Sequence, residues 1–387
     1  MKVKSVKARI IKNSKGEDTI EVTINKKFTA SAPSGTSVGK YEKAAFPKKI
    51  PIDFVNTHLL KILKHFEFFT LDDLSLIENS LREADETENW NRIGANTVIA
   101  IEYAILKAMS NNKIWKFLNP NAYKMPMPLG NVIGGGAHFK GKNVEDIQEF
   151  LLLPQTRSFH DAAFANSYVY NLIGKKLSIN RKTSEKAWAP NMKIDETLNL
   201  LKEATEKVSD ELGFKILIGM DIAATQLFRK NYYLYAKEEK KLDREQQIGF
   251  VDSLIKRYNL AYVEDPLEQD DFNGFSRLRK NNNDLICGDD LICTNIERLE
   301  KAIKEKAINA VIIKPNQIGS LIETKEVINL AKENGIMPVI SHRSGETMDN
   351  TIAHLAVGFE IPIIKCGIKG KEREAKINEL IKIEKEL

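Results

Sequence analysis

The sequence predicts an α/β protein in two parts, a small α+β domain over residues 1–125 followed by a (β/α) barrel over residues 126–387. Three observations lead there. The first part opens with alternating polar and branched apolar residues and then changes to helical periodicity. After residue 126, short apolar runs alternate with amphipathic helical stretches. Six of those apolar runs stop on a charged or imidazole-bearing residue, as strands do when their carboxyl ends line one mouth.

Taken in order, "VKARIIKN" and "TIEVTINKKFTASAP", separated by "SKGED", have the pattern of an antiparallel hairpin with one wet face. Helices follow in "FVNTHLLKILKHF", "TLDDLSLIENSLRE" and "NTVIAIEYAILKAMS", each with apolar residues three and four apart. "NPNAYKMPMPLGN" carries three prolines and reads as a linker. Beyond it, the strand runs are "KILIGMD" ending at Asp221, "LAYVED" at Glu264, "DLICGDD" at Asp289, "NAVIIKPN" at Lys314, "PVISHRS" at His342 and "IPIIKCG" at Lys365. From Glu264 onward these ends recur every 23 to 28 residues, enough for a strand, a loop, a helix and the return. Helical stretches such as "TNIERLEKAIKEK" and "LIETKEVINLAKENG" fill the gaps, with Thr294 a candidate cap and Gly335 a candidate stop. This alternation implies a parallel sheet. An open doubly wound sheet is the alternative, but it would gather chemistry at one switch point, and six polar strand ends favour closure.

Composition narrows the function. The chain has 387 residues, 42% hydrophobic, ample for a packed core. Its net charge of +5 is the difference of 58 basic and 53 acidic residues spread along the length, a solvated mixed-charge surface and no nucleic-acid footprint. No apolar run is long enough to span a bilayer, and "MKVKSVKARII" lacks the apolar core of a signal peptide, so a cytoplasmic protein is expected. Cys287, Cys293 and Cys366 are odd in number and lack zinc or redox spacing, which makes them reduced packing residues. The terminal "EKEL" without a signal peptide carries no targeting meaning.

The strand ends carry the chemistry. Asp221, Glu264 and Asp289 are carboxylates following three buried runs, and if they converge they need a cation, for which hard oxygen ligands suit Mg²⁺. Singly, each reads as the cap of the next helix; together, with lysines on the following strands, they read as a metal site. Lys314 and Lys365 cross the same mouth. A lysine beside a metal and another lysine loses its preference for the charged form and can act as a base on a weakly acidic C–H. Arg343 and Ser344 suit a phosphate, and His342 supplies another donor.

With these residues assembled, "SAPSGTSVGKYE", "NVIGGGAH", "IQEF", "GMDIAA", "VEDP", "GDDLICTN", "IIKPNQIGS", "SHRSGET" and "INELIKIEKEL" resemble, in order and over nearly the whole chain, the enolase family. The resemblance implies an enolase-type barrel and a Mg²⁺-dependent hydro-lyase that reversibly dehydrates 2-phospho-D-glycerate to phosphoenolpyruvate. It implies that Asp221, Glu264 and Asp289 bind the first of two Mg²⁺ ions and that Ser37 helps hold the second. Lys314 would remove the proton alpha to the carboxylate, with Lys365 flanking the substrate. Glu185 would be the general acid and Glu149 its carboxylate partner, the two able to share a proton. Arg343 and Ser344 would clamp the phosphate, with His138 and His342 lining the site. A homo-oligomer, dimer or larger, is implied as well, with contacts near Arg9 and "KIEKEL".

The chain departs from the family pattern in its loops. The acid's neighbours are Ser184, Lys186 and Ala187 where the family has an aspartate and two glycines; Val38 replaces a threonine, and Lys15 an arginine. A basic, glycine-rich segment after Lys43 is missing, two residues are added between His138 and Glu149, and "KGKER" stands near the end. These changes leave two alternatives open: elimination of water from a different phosphorylated or carboxylated hydroxy acid, or a non-catalytic protein on the same fold.

Overall fold

The computed structural model describes residues 1–35, 39–139 and 144–387. The amino-terminal part holds a three-stranded antiparallel sheet, β1 (Val6–Lys12), β2 (Asp18–Ile24) and β3 (Phe28–Ser31). The long second run of the expected hairpin is therefore two strands. The chain reverses at Asn25 and Lys26, both left-handed at φ 53° and 58°, the conformation of a tight hairpin turn. The turn has no glycine, so its sequence signal is weak. Ala8, Ile20, Val22, Ile24 and Ala30 form the buried face of the sheet, and the helix Ala95–Ser110, buried around most of its circumference, packs against β2 and β3. Three further helical segments, 52–63, 71–85 and Ile114–Leu118, belong to this part.

Eight strands then close a barrel: β4 (Met127–Gly134), β5 (Glu149–Pro154), β6 (Ile216–Asp221), and, after a small exposed sheet of β7 (Phe228–Arg229), β8 (Tyr232–Tyr235) and β9 (Lys240–Leu242), β10 (Tyr262–Glu264), β11 (Leu285–Gly288), β12 (Ala310–Ile313), β13 (Met337–Ser341) and β14 (Ile363–Lys365). All six strands read from the sequence are present. Two features differ from the expectation. The segment read as a linker ends inside β4, whose buried residues Pro128 and Gly130 disguise it. The sheet is also not all parallel, because β5 runs antiparallel to both β4 and β6. The helices Phe159–Leu177 and Ile194–Leu212 both follow β5, and later strands alternate with single helices or helix pairs outside the barrel.

The inward-facing side chains, among them Leu129, Leu151, Ala310, Val339 and Ile363, fill the barrel as a dry plug. The two parts dock at the barrel's carboxyl-end mouth. Lys107 pairs with Asp349 at 2.6 Å with both side chains buried, Asn316 Nδ2 donates to Asn96 Oδ1 at 2.9 Å, and Ser34 bridges in β fashion to Gly345. Among the described residues no helix is long and apolar enough to cross a membrane.

Candidate active site

Strand geometry brings the charged residues together. Asp221, Glu264 and Lys365 end β6, β10 and β14, Asp289 and Lys314 lie one residue beyond β11 and β12, and His342, Arg343 and Ser344 follow β13. Glu149 begins β5, and because that strand is reversed its first residue lies level with Asp221. Nearly all of these side chains are buried, and Gly35 joins them from the amino-terminal part around a central space of about 30 Å³. That is room for a water or two.

Lysines hold the carboxylates. Lys365 Nζ donates to Glu264 Oε1 at 2.6 Å and Asp221 Oδ2 at 2.9 Å, and lies 3.0 Å from Glu149 Oε2. Lys314 pairs with Asp289 Oδ2, whose Oδ1 accepts from Gln317 at 3.1 Å. Gln148 adds a 3.0 Å bond to Asp221. The three carboxylates expected to share a metal therefore divide between two ammonium groups. Among the described residues, the acid and histidine groups whose ligand atoms lie within 4.8 Å of one another are His138, Glu149 and Glu185, and Asp265, Asp289 and Asp290. The physical reason is charge: bare carboxylates in a dry site repel, and the nearest cations fill the gap.

The donor set nevertheless fits a divalent ion. All three candidates are hard, buried oxygen ligands, and burial together with the Asp221 charge pushes the Glu264 carboxyl well above its ordinary range, against the pull of Lys365. Lys314 was expected to lose its preference for the charged form beside a metal and a second lysine; without the metal, Asp289 has only the lysine to answer it. Burial does disfavour its ammonium, but Asp289 beside it outweighs burial, and its affinity for the proton is raised.

On the other wall His138 Nδ1 lies 3.4 Å from Glu149 Oε1 and 3.7 Å from Glu185 Oε1, while His342 Nε2 lies 3.2 Å from Glu185 Oε2. Glu149 and Glu185 thus both meet the His138 imidazole, with ligand atoms of all three within 4.8 Å of one another. Burial opposes the ionised form of Glu185, yet His342 and His138 win and hold it well below the usual carboxylate range. Asn131 Nδ2 donates to Glu149 Oε1 at 2.9 Å and fixes that carboxylate.

Arg343 has a partner the sequence reading did not assign. Its Nη2 donates to both oxygens of Glu42, at 3.1 and 2.9 Å, and its Nη1 to Asn316 at 3.1 Å. Gly35 packs closely beside it: a Cβ there would lie 2.0 Å from Nη2 and would force the guanidinium to move. Ser344 is tied by its carbonyl to Arg373 Nη2 at 3.0 Å and to the Ser14 hydroxyl. Glu42, Gln148 and Gln317 all stand inside or beside motifs already singled out, next to Tyr41, Glu149 and Asn316, and adjacency was their only signal. Ser37 lies outside the described residues.

A second cavity of about 430 Å³ shares His138 with the first and is lined by Lys15, Glu17, Lys182, Ser184 and Lys186. Lys15 pairs with Glu17 at 2.8 Å, and Lys182 stacks 4.3 Å over the Trp188 ring. Lys186 is exposed in the left-handed region at φ 68°, a cost that a glycine would not bear.

Comparison with known sequences gives a consistent answer over the whole chain. A family profile described as "Enolase, N-terminal domain" matches residues 3–118, and one described as "Enolase, C-terminal TIM barrel domain" matches residues 122–387. The chain is 41% identical to the protein named "Enolase" of Picrophilus torridus, with 100% of this chain and 99% of that one covered. It is 42% identical to those of Methanothermobacter thermautotrophicus and Methanosphaera stadtmanae, with 100% of this chain and 97% of each of theirs covered.

Proposed function

The chain belongs to the enolase family, and from that premise we propose that it is a hydro-lyase that reversibly removes water from 2-phospho-D-glycerate to give phosphoenolpyruvate. The observation that carries the reading is the gathering of Glu149, Glu185, Asp221, Asp289, Lys314 and Lys365 with the Arg343 and Ser344 pair around one small buried space.

In this reading Lys314 takes the proton alpha to the substrate carboxylate, after surrendering its contact with Asp289. Glu185, held ionised here by His138 and His342, takes up a proton from the adjoining His138 imidazole, beside Glu149, and passes it to the departing hydroxide. Arg343 and Ser344 hold the phosphate, His342 lines the opposite wall, and Lys365 flanks the carboxylate. Binding energy from the remote phosphate is thereby converted into orientation at the reacting carbon. Asp221, Glu264 and Asp289 would hold one Mg²⁺, and Ser37 would help hold a second. Bound there, the ions supply the positive charge that these carboxylates otherwise draw from Lys314 and Lys365, and offset the charge that develops on the substrate. The space for one or two waters means that the clamp and the lysines must shift to admit substrate, which also excludes bulk water from the reaction.

The reading extends to a domain division near residue 125, a cytoplasmic location and assembly into a dimer or larger homo-oligomer. One feature favours a second reading, the same half-reaction on another phosphorylated or carboxylated hydroxy acid: the strained, exposed Lys186 beside Glu185 in the approach cavity. The test is phosphoenolpyruvate absorbance from 2-phosphoglycerate with and without Mg²⁺. Wild-type protein should give Mg²⁺-dependent product, and Lys314→Ala should lose about 10²–10⁴-fold in kcat. Folded, Mg²⁺-binding protein that leaves 2-phosphoglycerate unchanged would transfer the assignment to another acid.

A further inference from the structure

Beneath the charged mouth, the apolar plug contains one phenol whose hydroxyl reaches upward. Tyr262, on β10, is fully buried with Leu129, Leu151, Ala310 and Val339, and donates a hydrogen bond to Glu264 Oε2 at 2.6 Å. Strand periodicity explains the reach: residues 262 and 264 face the same side of the sheet, one pleat apart. Space for the ring is made across the strand pair. Tyr262 lies level with Gly219 on β6, where a Cβ would come within 3.0 Å of Tyr262 Cβ and 3.3 Å of Cδ1. A bulky aromatic is thus seated against a glycine on one side and beside the small Cys287 and Ala310 on the other.

The two oxygens of Glu264 are sorted by this arrangement. Oε2 faces down to the tyrosine, and Oε1 faces the mouth, where Lys365 now meets it at 2.6 Å. We propose that Tyr262 is a positioning residue for the metal, holding Glu264 from inside the barrel so that Oε1 is presented to Mg²⁺. The inference rests on the reading of Asp221, Glu264 and Asp289 as the metal's ligands. Tyr262 lies below that carboxylate, and its other polar neighbour, the Cys287 thiol, is none of the proposed ligands, so its effect on the metal passes through Glu264. Ligands held by an outer hydrogen bond bind metal more tightly because less order is lost on coordination, and removing such a partner typically weakens binding 10- to 100-fold.

The test is Mg²⁺ binding by titration calorimetry on the substrate-free, full-length protein, wild type against Tyr262→Phe, with melting temperatures in EDTA and in saturating Mg²⁺. Tyr262→Phe should bind Mg²⁺ about 10- to 100-fold more weakly. The rise in its melting temperature on adding Mg²⁺ should shrink, and kcat at saturating Mg²⁺ should stay near wild type while the Mg²⁺ requirement climbs. A purely packing role would lower the melting temperature in EDTA and leave the Mg²⁺ dissociation constant within twofold of wild type, which overturns the proposal. Gly219→Ala provides an independent variant that keeps the hydroxyl but presses on the ring; it should weaken Mg²⁺ binding several-fold, and unchanged binding counts against the proposal equally. Wild-type protein that binds no Mg²⁺ would instead bring down the ligand assignment itself, together with this inference.

Discussion

At the mouth of the barrel Asp221, Glu264, Asp289, Lys314, Arg343 and Lys365 each have a counter-charge, and this fixes what a single substitution does. Arg343 is the clearest case, because the guanidinium assigned to the phosphate already carries a carboxylate, Glu42, with both side chains almost entirely buried. A phosphate arriving at Arg343 competes with Glu42 for the same N–H groups. Glu42→Gln should therefore tighten inhibition by inorganic phosphate by about tenfold, equivalent to ~1.4 kcal/mol, and the inhibition constant measures it directly. The same variant leaves a buried guanidinium without its counter-ion, so its melting temperature should fall. The residues bearing formal charge at strand ends were legible because a buried apolar run ending on a charge is a local signal. Their partners were not: Glu42 meets Arg343 across 301 residues and Gln148 meets Asp221 across 73. Only the folded chain supplies those distances. The pairing of Lys314 with Asp289 was hidden for a related reason, since the two lie on different strands, 25 residues apart.

At the level of single elements, local patterns located strands well and directions poorly. The buried runs of β6 and β10–β14 were recognisable from apolar stretches closed by polar residues. β5 has a similar composition, "EFLLLP", yet nothing in those six residues says that they run against their neighbours. The 14 residues between β4 and β5, "GGAHFKGKNVEDIQ", are about long enough for a crossover, but they carry glycines and charges in place of an amphipathic helical face. Helices show a comparable division between visible caps and invisible docking partners. The closing helix Lys371–Glu384 packs on Thr351–Gly358, and there His354 Nε2 lies 3.4 Å from Glu379 Oε1. Hydrogen bonding from His354, with a further bond from Lys382, depresses the half-buried Glu379 carboxyl to about 2, against the opposing effect of burial. A carboxyl depressed in the folded state adds stability above its unfolded value near 4.5, and that stability is lost as pH falls toward about 2. Urea midpoints of His354→Gln should therefore fall less steeply than wild type between pH 5 and 3, and identical slopes would assign the acid sensitivity to other carboxylates.

On the scale of the whole molecule, the site belongs to neither part alone. The barrel provides the acids and lysines, and the amino-terminal part contributes Gly35 and Glu42. The joint is close-fitting. Gly319, at φ 72° after the short helix Pro315–Ile318 that follows Lys314, would bring a Cβ to 2.7 Å from Ala95 Cβ at the start of the amino-terminal part's long helix. Gly319→Ala should cost at least about 1–2 kcal/mol for the left-handed backbone alone, with more from the clash. Because Gly319 and Lys314 flank the same short helix, five residues apart, kcat should drop along with the urea midpoint; a stable variant of normal kcat would mean that the two parts slide past each other freely. The two-part architecture was readable from the change in texture along the sequence, but the contact between the parts was not, since no local pattern encodes a surface that faces another module.

The reach of Glu42 to Arg343 also orders events during synthesis. β1–β3 are made before the barrel, yet Glu42 cannot meet Arg343 until β13 and the arginine loop follow, 301 residues further along. A growing chain therefore lacks the Glu42–Arg343 pair and the Lys365 contacts until the last barrel strands are made, so products truncated before β13 would lack the groups proposed here to hold the phosphate.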